Sequence, residues 1–132
     1  MQHKPGGAND PKRWLKNAEA DLAYAMLPLP PGGMYEQPCF HAQQAAEKSV
    51  KAVLLHLGID FPFTHNLKYL LNLLPTDLEV PNEVRGATDL TPYATITRYP
   101  GELEPATESD RDSAVTVAKA TFEWAKGIIC PS

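Results

Sequence analysis

Apolar side chains recur along this chain at steps of three and four, the repeat of helices that bury one face. The first such stretch holds Trp14, Leu15, Ala18, Leu22 and Ala25. Asp10 at the N-cap and Pro11 at the first helical position open it, so a helix is expected from Asp10 to about Leu27. Pro28 to Pro38 holds four prolines and two glycines, a composition that predicts an ordered crossing loop. A second helix is expected over Phe40–Leu57, with Gly58 as a left-handed cap. Thr64 is the expected cap of a short third helix that buries Leu67, Leu70, Leu71 and Leu74 before Pro75. From Pro81 to about Thr97 the repeat of Val84, Leu90, Tyr93 and Ile96 is interrupted by Gly86 and Pro92, which predicts a bent or two-piece helix. A last helix is expected from Ser109 or Asp110, with Ala114, Val117, Ala118, Phe122, Ala125 and Ile129 inward. No segment alternates as a strand does. The expected fold is all-α, an antiparallel four- to five-helix up-and-down bundle.

The second helix breaks the rule that seams are apolar. Phe40, Gln44, Glu47, Lys51 and Leu54 share its packing seam, so an amide, a carboxylate and an ammonium occupy the middle of a face that should be greasy. Burying such groups costs several kcal/mol unless each finds a partner. They form either a paired network inside the bundle or the lining of a cleft with polar contents. Glu47 precedes Lys51 by one turn, the favourable order for an intrahelical ion pair. In the other reading Lys51 meets a phosphate, Glu47 orients it, and Gln43, Gln44 and Lys48 widen the polar surface. His65, expected just after the cap of the third helix, can meet an anion there or hydrogen-bond a carboxylate such as Glu47. Arg98 and Tyr99, before Pro100, can clamp a phosphate and stack a base, or serve the Glu47 carboxylate and the core. His3, His41 and His56 have no convergent partner in the sequence and read as ordinary rim residues.

Composition narrows the classes. The 132 residues suit one domain, with a loose arm over 1–9 and a single helical domain over 10–132. A net charge of −4 argues against coating by bulk RNA. Cys39 and Cys130, with no CxxC or Cys/His cluster, read as reduced thiols of a cytoplasmic protein, and no metal or cofactor is implied. No apolar run approaches the roughly 18 residues of a membrane span.

Five stretches in order carry a family resemblance: RWLKNAEADLAYA, FHAQQAAEKSVKAVLLHLG, THNLKYLLNLL, the TRYP ending with Arg98-Tyr99-Pro100, and the aromatic-bearing last helix. From about Arg13 to Ile129 the chain resembles the HEPN domain family. That resemblance implies a compact helical bundle that forms homodimers, stands beside or fused to a small nucleotidyltransferase, and binds a nucleotide or other phosphate-bearing ligand. The ligand-binding candidates are then Gln44, Glu47, Lys48, Lys51, His65, Arg98 and Tyr99. Some family members are metal-independent ribonuclease toxins with an Arg and, four to six residues later, a His. Arg13, Arg85, Arg98 and Arg111 have no such His. Lys51 and His56 copy the spacing without the guanidinium fork that grips phosphate. No catalytic residue is therefore assigned. Ribonuclease and purely structural interaction module stand as the alternatives.

Overall fold

The computed structural model describes residues 9–94 and 104–131. Its helices are α1 (Pro11–Ala25), α2 (Glu36–His56), α3 (Leu67–Asn72), α4 (Asn82–Arg85) and α5 (Glu108–Ile129), with a 3-10 helix over Gly86–Tyr93 and no strand among the described residues. The all-α bundle expected from the periodicity is what forms. The middle helix, α2, packs on α1, on α5, on α3 and on the 3-10 helix. Central placement explains its sequence: fourteen of its side chains are buried, among them Ala42, Ala45, Ala46, Val50, Val53 and Leu54. Alanines on the contact faces let neighbouring helices approach closely.

Local chemistry sets the ends. Asp10 caps α1 as expected, its carboxylate accepting from the Lys12 amide at 3.1 Å. The second helix begins at Glu36, four residues before the expected Phe40, with Pro38 in its first turn. The amides of a first turn have no intrahelical acceptor, so proline there forfeits nothing. At the far end Gly58 adopts φ +74°, with its amide donating to Leu55 and that of Ile59 to Leu54. This is a Schellman cap, at a φ that an L side chain adopts only with strain.

Two further expected boundaries shift, those of α3 and α5. Asn66, not Thr64, caps α3 by accepting from the Tyr69 amide at 3.1 Å, while Thr64 Oγ1 accepts from the Asn66 amide. The interrupted fourth segment resolves into two pieces, α4 and the 3-10 helix with Pro92 inside it, and Ile96 lies outside the described residues. Thr107 opens α5 one residue earlier than expected, through a reciprocal capping box with Asp110. The start of α5 is tied to the start of α2: the Ala106 amide donates to Glu36, and Arg111 lies over the Tyr35 ring. The Asp112 carboxylate on its Nε holds the Arg111 guanidinium above its usual range. Neither cysteine forms a disulfide; Cys39 is buried and Cys130 exposed.

Candidate functional site

Gln43, Glu47 and Lys51 succeed one another at intervals of four, so α2 stacks them on one stripe. All three are buried: Gln43 is 0 % exposed, Glu47 2 % and Lys51 4 %. Glu47 is the hub. Its Oε2 accepts from Lys51 Nζ at 2.9 Å, and its Oε1 accepts from Gln43 Nε2 at 3.0 Å and from His65 Nδ1 at 2.8 Å. One carboxylate thus holds three donors from α2 and the α2–α3 loop. His65 is the exposed member, its side chain 45 % accessible. It precedes the cap of α3 instead of following it, and α3 is only six residues long, so it gains nothing from that helix terminus.

The Lys51 ammonium is further enclosed by rings. Nζ lies 5.7 Å from the centroids of Trp14 and Phe61 and 5.8 Å from that of Phe63, within the range in which a ring's negative face attracts a cation. Trp14 and Phe61 meet edge to face, as do Phe63 and His65. Trp14 comes from α1 and the two phenylalanines from the loop before α3, so the box ties two other segments of chain to one lysine. Phe63 is 94 % exposed and forms its outer wall.

The other candidates are dispersed. Among the described residues Gln44 makes no bond to the hub, and its Oε1, like that of Gln43, is buried there with no hydrogen-bond donor. Gln43, which the seam assignment placed off the seam, is the amide that bonds Glu47. Lys48 turns toward α1, where its Nζ donates to Asp21 Oδ2 at 2.7 Å. The same carboxylate accepts from His41 Nδ1 at 2.9 Å, so His41 does have a partner, on α1. His56 is exposed at the end of α2. Arg98 and Tyr99 lie outside the described residues. Among the described residues no group of three or more His, Cys, Asp and Glu side chains is placed to hold a metal ion, and no helix is long and apolar enough to cross a membrane.

Comparison with known proteins agrees with this architecture. The model of the HEPN domain matches residues 11–128. Two solved structures superpose over 91 % of the chain and 98 % of their own. One is TT1696 from Thermus thermophilus, with 30 % identity and a TM-score of 0.75. The other is ST0689, described as an archaeal HEPN homologue, with 34 % identity and a TM-score of 0.70. No curated protein matches the chain.

Proposed function

The chain belongs to the HEPN domain family, and on that premise we propose that it works by association and not by chemistry, as a cytoplasmic homodimeric module that partners a small nucleotidyltransferase. The observation that carries this reading is the state of Lys51. Its ammonium is 4 % exposed, bonded to Glu47 and enclosed by three rings. A phosphate seeking it would have to displace a carboxylate and open an aromatic box. The polar stripe of α2 therefore fixes how α1, α2 and the following loop sit together, which is what a surface that must present constant geometry to a partner requires. The partner class comes from the family.

A second reading has its own observation. His65 is half-exposed beside the open Phe63 ring, so its remaining nitrogen, a donor in the protonated ring, can meet a phosphate while Phe63 offers a face to a base. This is the nucleotide-binding reading, with His65, and Arg98 if it converges, in place of Lys51. Ribonuclease action is the weakest of the three, since the Arg and His signature is absent and Lys51, the nearest stand-in for its cation, is buried against Glu47.

Two measurements separate them. Light scattering on the purified chain should give the mass of a dimer. Thermal unfolding with millimolar ATP, GTP, ADP and AMP should leave the midpoint unmoved. A ligand at about a hundred times its dissociation constant adds about 2.7 kcal/mol to the native state. A nucleotide-dependent rise abolished by His65→Ala or Arg98→Met would replace the association reading with the second one, and a monomeric mass would remove the homodimer.

A further inference from the structure

A groove of about 640 Å³ lies between the end of α1, the loop 26–35 and the start of α2. Tyr24, Leu27, Pro31, Met34, Gln37 and His41 are among its lining residues. Its wall is built in advance. The Gly33 amide donates to Pro30 at 2.8 Å, with Pro31 second in the turn and Gly32 third at φ +78°, the arrangement of a type II turn. Gly33 packs so closely that a Cβ would meet Pro30 at 3.0 Å and Leu29 at 3.1 Å. The volume falls in the range of small-molecule sites, roughly 300–1,000 Å³, which pair apolar walls with a few placed polar groups.

The placed polar group here is His41. Asp21, ion-paired with Lys48, accepts from Nδ1, so the ring proton is held there. Tyr24 stacks on the imidazole at 5.4 Å and 29°, fixing its plane. With the proton on Nδ1, the neutral form of the ring presents the Nε2 lone pair as an acceptor. Among the described residues neither Asp21 nor Lys48 lines the groove, and no lysine or arginine does. An anion entering it would shed water for apolar walls without meeting a counter-charge.

We propose that this groove binds a small, flat, uncharged heteroaromatic molecule that donates a ring N–H to His41 Nε2 and lays its faces against Tyr24 and the proline rings. Asp21 and Lys48 are positioning residues that set the tautomer. The site is separate from the Glu47 network, and it stands or falls independently of the association reading.

The test is titration of the 15N-labelled full chain, followed by 1H–15N NMR, with indole, 1-methylindole and benzoate as probes. Indole should shift the amides of Tyr24, Gln37 and His41. 1-Methylindole, equal in shape but without the donor, should bind about tenfold more weakly, the worth of one hydrogen bond. Benzoate should bind less well than indole. Asp21→Asn, which leaves Nδ1 without its carboxylate, should weaken indole and narrow its margin over 1-methylindole. The proposal is overturned if indole shifts no amide of this region up to its solubility limit, if methylation costs no affinity, or if benzoate binds more tightly. The methylindole arm uses the unaltered protein, so a poorly folded variant does not blunt the test.

Discussion

Removing the Lys51 ammonium should cost more stability than removing the ammonium together with the charge it answers. Replacing one member of a buried ion pair strands the other, typically at about 3–5 kcal/mol, whereas replacing both by neutral groups of similar volume is close to neutral. Here Lys51→Met leaves Glu47, 2 % exposed, with two of its three donors, Gln43 Nε2 and His65 Nδ1. That places the loss near the low end, about 3 kcal/mol. Methionine fills the ring box with a polarizable thioether, so packing recovers part of what the cation–π contacts supplied, about 1 kcal/mol. The net expectation for Lys51→Met is a loss of about 2–3 kcal/mol. In Glu47→Gln with Lys51→Met, the amide oxygen still accepts from Gln43 and His65 and no charge is stranded. Glu47→Gln alone, which strands the Lys51 ammonium, should lose about 2–3 kcal/mol and the double variant should lie within about 1.5 kcal/mol of the parent, giving a favourable coupling of at least about 2 kcal/mol in the double-mutant cycle. Urea unfolding followed by circular dichroism reads this as a shift in midpoint at constant slope, at one fixed protein concentration because association adds to apparent stability. A single variant that loses less than about 1 kcal/mol, or a double variant as unstable as the sum of its parts, would show that Lys51 is not held as a buried partner of Glu47 and would refute the architectural account.

Two smaller perturbations probe the helix ends that position this network. Gly58→Ala forces a Cβ into φ +74° at the end of α2 and should cost about 1 kcal/mol, lowering the thermal midpoint by roughly 3–5 °C for a chain of this size. Thr107→Ala removes the hydroxyl that accepts from the Asp110 amide, and should cost about 1 kcal/mol by the same assay, with Thr107→Ser restoring most of it.

The relation between sequence and site follows from which neighbours a helix repeat can reveal. The bundle was legible because burial on one face of a helix writes a period into the chain, and Leu15, Leu54, Leu70 and Phe122 are buried where that period puts them. The early start of α2 was hidden by Pro38, whose breaking effect vanishes in a first turn. Thr64 and Asn66 are both good caps two residues apart, and only the backbone path decides between them. Glu47 with Lys51 was readable because both lie on one helix a turn apart. The pairing of Glu47 with His65 was open as one of two readings and forms at 2.8 Å.

What lay beyond the pattern was lateral. Asp21 meets His41 and Lys48, 20 and 27 residues away on the next helix, and Lys51 meets Trp14, Phe61 and Phe63 from two other segments. Those contacts depend on the rotation of α1 against α2, which no single helix encodes. Yet one signal was present. Asp21 stands three residues after Ala18 and four before Ala25, both 0 % exposed, so it is a carboxylate on the inward face of α1. The reasoning that singles out Glu47, a charge in an apolar register that must find a partner, applies to Asp21 with equal force. Two inward acids, Asp21 on α1 and Glu47 on α2 itself, share a helix that offers His41, Lys48 and Lys51, which leaves few ways to satisfy both. Each acid takes its own lysine and its own histidine, and α2 is thereby held to α1 on one side by Asp21 and to the loop before α3 on the other by Glu47.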